Sequence, residues 1–160
     1  RDDAGVRHGP VDGAPRVGKN AAGSDGKHPR ISLWGPSVNL VPIGTPYFAI
    51  LIEDTTLPLT TTQPLLMLGR EFETAFGGTV ALPIDLTPHG APGFELWVDP
   101  FAFLAAQPPL GNHHCEIGAS IPNDPRLIGE LVWCQWLLRD PTANAAGLTL
   151  TEATAFVITE

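Results

Sequence analysis

From residue 31 onward, apolar and polar positions alternate in short runs that are separated by turn residues. The run PYFAILIED (46–54) is typical: its side chains alternate with a period of two, which predicts a β-strand. The predicted strands are 31–35, 46–54, 63–71, 78–86, 92–100, 115–122, 131–138 and 153–159. About eight short strands that do not alternate with helices predict an all-β fold, an antiparallel β-sandwich or jelly roll.

The connections between these runs have turn chemistry. They include PHGAPG, PNDP and RDPTANAAG, and the chain contains 17 Gly and 17 Pro, a composition that disfavours long helices. The segment 123–130 could begin one short helix, with Asn123 or Asp124 as its cap and Pro125 in the first turn, but Gly129 makes a long helix unfavourable.

The run LVWCQWLL (131–138) is apolar on both faces when it is drawn as a strand. A helix would instead group Leu131, Gln135 and Leu138 on one side, but the bounding Gly129, together with Val, Cys and two Trp in the run, favours a strand. We therefore predict a central strand that is covered on both sides. Gln135 is the polar exception, and its buried amide is expected to find backbone partners.

Residues 1–30 differ from the rest of the chain. They are rich in Gly, Pro, Asp, Ala and Lys and contain few large apolar side chains, so they cannot form a core of their own. We predict an extended polar arm (1–30) attached to a sandwich domain (31–160). The arm either lies along its own domain or reaches a neighbouring subunit.

Charge is divided unevenly between these two parts. Six of the nine Lys/Arg and four of the seventeen Asp/Glu lie in residues 1–30, which leaves three bases and thirteen acids in residues 31–160. Nucleic acids and anionic membranes are bound through Lys and Arg, so an acidic domain disfavours both as partners. No apolar run has the length of a membrane span, and membrane insertion is not expected.

The segments GTVALPIDLTPHGAPGFELWV (78–98) and IPNDPRLIGELVWCQWLLRDPTANAAGLTLTEATAFVI (121–158) carry a recognisable set of motifs. These are Leu-Pro-x-Asp-Leu, Gly-x-Pro-Gly, Pro-Asn-Asp-Pro, Gln-Trp, and an ending with Asp-Pro, Asn, Gly and Leu-Thr. Over residues 30–160 the chain resembles an uncharacterised β-domain found at the C-terminal ends of secreted proteins from planctomycetes and some other large-genome bacteria. The resemblance implies a secreted β-domain and no particular activity. Where those domains often have Cys after the Gly-x-Pro-Gly turn, this chain has Phe94, so their disulfide pattern does not support a bridge here.

Cys115 and Cys134 are the only two cysteines. An even pair in a chain of this composition suits an oxidising compartment, and we predict a disulfide between them; two buried free thiols are the alternative. The first residue is Arg1 rather than Met, which is consistent with a signal sequence that has been removed. The predicted location is therefore extracellular, either secreted or at the cell surface.

Candidate chemistry is sparse. His113, His114 and Cys115 are adjacent, but neighbours on a strand point to opposite faces and no partner motif exists, so no metal site and no cofactor are predicted. No serine has the context of a catalytic nucleophile, and the chain is not expected to be an enzyme. Trp34 and Trp97 are candidates for stacking on a sugar ring, although large aromatics on strands are usually part of the core.

The segment DTTLPLTTTQP (54–64) is rich in threonine and proline, which suits O-glycosylation in a secreted protein. Its candidate acceptors are Thr55, Thr56, Thr60, Thr61 and Thr62. Threonines in an exposed loop that carry no glycan are the simpler interpretation.

Two functions fit these features. The first is a secreted structural subunit that assembles with copies of itself into a filament or surface layer through its N-terminal arm. The second is a non-catalytic module that binds carbohydrate or a cell surface.

Overall fold

The structure is a computed structural model, and it describes residues 16–18, 21–35, 37, 39–106 and 115–160. Within these ranges the chain is mostly β-structure, which confirms the predicted all-β class, whereas the sandwich or jelly roll of about eight strands stays a prediction. The strands are β1 (Arg16–Val17), β2 (Arg30–Trp34), β3 (Leu40–Pro42), β4 (Phe48–Glu53), β5 (Leu65–Gly69), β6 (Thr74–Ala75), β7 (Val80–Ala81), β8 (Ile84–Asp85), β9 (Glu95–Leu96), β10 (Pro100–Ala105), β11 (Cys115–Ala119), β12 (Leu131–Arg139) and β13 (Leu148–Thr159).

Helical structure in the described ranges is limited to single turns. These are the helix α1 (Leu59–Thr62) and the 3-10 turns Thr87–His89 and Pro125–Leu127. The last of these lies in the segment where a short helix was predicted, and Asp124 caps it by accepting a hydrogen bond from the Arg126 backbone N–H at 3.0 Å. None of the described helices is long and apolar enough to cross a membrane.

Six strands form the larger sheet, in the order β1-β13-β12-β5-β10, with β3 also on β13. All of its pairings are antiparallel except that of β3, which runs parallel to β13. The outer edge of β13 is shared by two short strands, because β1 pairs with residues 153–154 and β3 with residues 157–159. In the described residues β10 ends the sheet on the opposite side.

Three strands form a second antiparallel sheet in the order β11-β4-β2, and two short hairpins, β6–β7 and β8–β9, form separate two-stranded sheets of their own. The two sheets share one hydrophobic core. It contains Leu66, Cys134, Trp136, Leu138 and Phe156 of the larger sheet and Ile31, Leu33, Phe48, Ile50, Ile52 and Cys115 of the smaller. The indole Nε1 of Trp136 donates a hydrogen bond to the Leu51 carbonyl oxygen at 3.1 Å, so a buried hydrogen bond also joins the sheets.

The other face of the larger sheet is covered as well. Residues of β5, β12 and β13 on this face pack against the segment that runs from β8 to Val98 and against residues near β1. The buried members of these two clusters are Met67, Ala91, Phe94, Val98, Trp133, Leu150, Ala153 and Ala155. The strand β12 therefore has a buried face on each side and lies between β13 and β5, which confirms the predicted central strand.

Residues from the predicted arm are attached to their own chain. In β1, Arg16 pairs with Thr154 of β13. The Ser24 backbone N–H donates to Asp140 Oδ2 at 2.8 Å, and further hydrogen bonds join the Asp25 carboxylate to residues 55 and 56. The part of the arm in residues 16–18 and 21–30 thus lies along its own domain. Residues 1–15 lie outside the described residues. Contact between them and a neighbouring subunit stays a prediction.

Candidate functional site

The β10 edge of the larger sheet carries large apolar side chains that face solvent. Phe101 and Phe103 are 60% and 58% exposed, and Leu104 is 37% exposed. One side of β10 pairs with β5, and no described strand pairs with its other side. These three residues are called the edge surface below. An unprotected apolar strand edge combines unpaired backbone groups with side chains that gain from burial.

Arg70 flanks the edge surface, and Phe72 is a further exposed aromatic side chain. The Arg70 guanidinium carbon lies 5.4 Å from the centre of the Phe101 ring, and Arg70 Nε is 3.4 Å from Glu130 Oε2. Phe72, also partly exposed, packs on the Trp133 ring with a centroid distance of 4.9 Å. Phe101 therefore contacts a side chain next to β5, and Phe72 contacts a ring in β12.

Trp97, a candidate for sugar stacking, is half-buried and lies on the covered face of the larger sheet. Its indole Nε1 donates to Glu95 Oε2 at 3.0 Å, and its backbone N–H donates to Gln135 Oε1 at 3.1 Å. The backbone of Gly18 lies against the indole so closely that a Cβ there would overlap the ring. One face of Trp97 is therefore already occupied by the chain itself.

Trp34, the other stacking candidate, lies at the end of β2 in the smaller sheet. Its ring meets Tyr47 edge to face, with centroids 5.6 Å apart. The Tyr47 hydroxyl donates to Glu116 Oε1 at 2.7 Å, and this hydrogen bond, with burial and the negative charge, raises the pKa of Tyr47 to about 12. Because Trp34 and Trp97 belong to different layers, the fold does not bring them together into one stacking platform.

The candidate glycosylation sites lie in and before α1. Thr55 is buried and donates from Oγ1 to Asp25 Oδ2 at 3.1 Å, as does the more exposed Thr56 at the same distance. Thr62 is also buried, and the side chains of Thr60 and Thr61 lie outside the described part of the structure. Glycosylation in this segment stays a prediction, and the accessible hydroxyl among the described ones is that of Thr56.

The predicted disulfide is not formed: Cys115 and Cys134 are both buried free thiols. Cys115 lies on β11 of the smaller sheet and Cys134 at the middle of β12, and each fills a core position of its own sheet as a small apolar side chain. Cys134 Sγ donates to the Thr154 carbonyl oxygen at 3.4 Å. Burial raises the pKa of Cys134 far above its usual value and that of Cys115 to about 11, which makes both thiols poor nucleophiles.

The histidines of the adjacent His113-His114-Cys115 set lie outside the described residues. Among the residues that the structure does describe, no group of three or more His, Cys, Asp or Glu side chains could hold a metal ion.

Sequence reasoning did not identify the edge surface. The predicted strand 92–100 ended where β10 begins, although the alternation of Phe101, Phe103 and Ala105 gave a signal that continued past Pro100. Proline is common at the first residue of a strand, so its presence there did not exclude a strand.

Comparison of the chain with protein families, with characterised proteins and with solved structures finds no match. The resemblance to the secreted C-terminal β-domain therefore stays a prediction.

Proposed function

We propose that this chain is a secreted, non-catalytic structural subunit that assembles with copies of itself, and that the first contact joins the edge surfaces of two copies. The two sheets packed on a common core would form the β-sandwich of that subunit. The observation that carries the proposal is an edge strand, β10, with two phenylalanines more than half exposed.

Sheet edges of soluble proteins are usually protected by charge, proline, a bulge or a covering segment, because an open edge pairs readily with another strand. In β10 the register shifts between Pro100 and Ala102, yet residues 101–105 carry no charged side chain. Burying the exposed phenylalanines against a like surface would stabilise the contact, since each large apolar side chain that is fully buried contributes about 1.5–3 kcal/mol.

A second copy of the chain is the occupant that fits this edge. Two β10 strands that pair antiparallel across a two-fold axis place the same apolar patch on both sides, as an isologous interface requires. The charged pair of Arg70 and Glu130 would then lie near the rim, where charged groups remain solvated.

The N-terminal arm supplies a second element for growth beyond a dimer. Its positive charge is concentrated in residues 16–30, whose described part, 16–18 and 21–30, already contacts its own acidic domain, whereas residues 1–15 contain two arginines and three aspartates. Extension of residues 1–15 onto a neighbour would convert edge-paired dimers into a filament or surface layer. The acidic, lysine-poor composition supports a location outside the cell; the free thiols give that location no further support.

The proposal is tested by measuring the molecular mass of the protein in solution at several protein concentrations, by light scattering and sedimentation. The intact chain is expected to dimerise reversibly, and Phe103→Lys is expected to be monomeric because it places a charge on the edge surface. Phe76→Lys is the matched control, since Phe76 is 63% exposed on another part of the chain and its replacement is expected to leave the mass unchanged.

A chain that stays monomeric at every concentration would refute the proposal, as would a Phe103→Lys variant with the mass of the intact chain. Removal of residues 1–15 separates the two contacts: the edge-paired dimer is expected to persist while any larger assembly is lost.

A further inference from the structure

A groove of about 580 Å³ lies at the end of the larger sheet where β5 begins and β12 ends. Its lining includes Gln63, Leu65, Leu137, Arg139, Pro141 and Leu148. The volume is in the range of small-molecule sites, which are typically about 300–1,000 Å³ and mostly apolar with a few polar groups that fix the ligand.

The groove contains an arginine that differs from the other described arginines in its ion pairing. Of the four arginines in residues 30–106 and 115–160, three are paired with carboxylates: Arg30 with Asp54, Arg70 with Glu130, and Arg126 with Asp124.

Arg139 is the fourth, and its guanidinium makes neither an ion pair nor a hydrogen bond with a described residue. The next residue, Asp140, makes no ion pair with it, and the Asp140 carboxylate instead accepts hydrogen bonds from Ser24 and Thr149.

Gln63 provides a second polar group beside Arg139. Its backbone has φ 46° and ψ 65°, a left-handed conformation that residues other than glycine and asparagine rarely adopt. Its side-chain amide makes no hydrogen bond within the described residues. Strained backbone positions are often found at binding sites, where the surrounding fold maintains them.

The chemistry of the lining indicates which ligands fit. Its described walls are aliphatic, from Leu65, Leu137, Leu148 and Pro141, and contain no aromatic ring on which a sugar or a base could stack. A guanidinium binds carboxylates through two parallel hydrogen bonds. We propose that the groove binds a small molecule with an aliphatic body and one carboxylate, whose charged group is held by Arg139.

The experiment uses octanoate as the probe, with octanol as the uncharged analogue of the same chain length. Amide resonances of the intact protein, followed by NMR during titration, are expected to shift with octanoate at residues 137–148 and to shift far less with octanol. Arg139→Gln is expected to weaken octanoate binding about tenfold or more, because a hydrogen-bonded charge pair is lost.

Arg30→Gln is the matched control, since it removes one arginine charge from an exposed strand terminus that does not line the groove. It is expected to bind octanoate as the intact chain does. Ala145 also lines the groove, and Ala145→Phe places a ring there. This variant is expected to block octanoate binding although Arg139 is retained.

The proposal is overturned if octanoate does not shift the groove resonances of the intact protein, if octanol binds equally well, or if Arg139→Gln binds octanoate like the intact chain. Failure of the assembly proposal leaves this test unaffected, because the monomeric Phe103→Lys variant is expected to bind octanoate normally.

Discussion

The side-chain amide of Gln135 fixes the backbone of Trp97 to the centre of the larger sheet. Gln135 Oε1 accepts a hydrogen bond from the Trp97 backbone N–H at 3.1 Å, while Nε2 donates to the carbonyl oxygens of Glu95 and Thr151, each at 2.8 Å. The expectation that this buried amide finds backbone partners is confirmed. The segment that covers the outer face of the sheet is thus held by polar contacts at its centre as well as by apolar packing.

Replacement of Gln135 by alanine is expected to lower the free energy of unfolding by about 3 kcal/mol, because it leaves buried backbone groups without partners. Urea unfolding measures the change. Gln63→Ala is the control, since Gln63 is exposed, and a change within about 0.5 kcal/mol is expected there. Equal losses in the two variants would show that the Gln135 hydrogen bonds do not stabilise the fold.

Replacement of Trp136 by phenylalanine removes the hydrogen bond to the Leu51 carbonyl oxygen and leaves a cavity between the sheets. We expect a loss of about 2 kcal/mol in the free energy of unfolding. Trp34→Phe, at a half-buried position at the end of β2, is expected to cost less than about 1 kcal/mol. A larger loss at Trp34 than at Trp136 would contradict the shared core as the main source of stability.

Asp140 links stability to pH. Burial acts to raise the pKa of its carboxyl, but hydrogen bonds from Ser24, Thr149 and Thr142 outweigh this effect and hold the pKa below its usual value of 3.8. A carboxyl whose pKa is lower in the folded state contributes stability above its unfolded pKa and loses that contribution as pH falls through the folded pKa.

Asp140→Asn is therefore expected to be less stable than the intact chain at pH 7, and the difference is expected to shrink as pH falls below 3.8. Urea unfolding at several pH values measures this. Glu73→Gln removes an exposed acid and serves as the control. A difference between Asp140→Asn and the intact chain that stays constant with pH would contradict the role of the Asp140 carboxylate.

The two thiols are expected to be inert in the folded protein and reactive once it unfolds. Burial of Cys115 and Cys134 excludes reagents, and the raised pKa of each thiol keeps it protonated. A colorimetric thiol reagent should modify neither cysteine in the native chain and both in denaturant without reductant. Absence of reaction in denaturant would instead indicate a disulfide.

Patterns of apolar residues predicted the parts of the fold that are set by burial. The strand β12 was predicted because both of its faces are apolar, and β2, β4, β5, β11 and the end of β13 follow the period-two runs in the sequence. The predicted strand 78–86 is divided into β7 and β8, since Pro83 has no N–H for a continuous ladder.

Features set by tertiary contact were not visible in the sequence. The attachment of residues 16–18 and 21–30 depends on hydrogen bonds to distant residues, from Ser24 to Asp140 and from Thr55 and Thr56 to Asp25, and on a two-residue strand that is too short to give a pattern. The unpaired state of Arg139 likewise depends on where the acids lie in space. The composition indicated an acidic domain, but it could not show that Arg139 has no carboxylate partner among the described residues.

The strand β13 determines when the chain can fold during its synthesis. Its outer edge is covered by β1 and β3, so Arg16 pairs with Thr154 and Leu40 with Val157. Both of the early strands must wait for a partner that lies far along the chain, so the larger sheet cannot be completed before β13 has been synthesised. A topology with so many pairings between distant residues belongs to the slow class of folding domains, in which the order of synthesis gives little help.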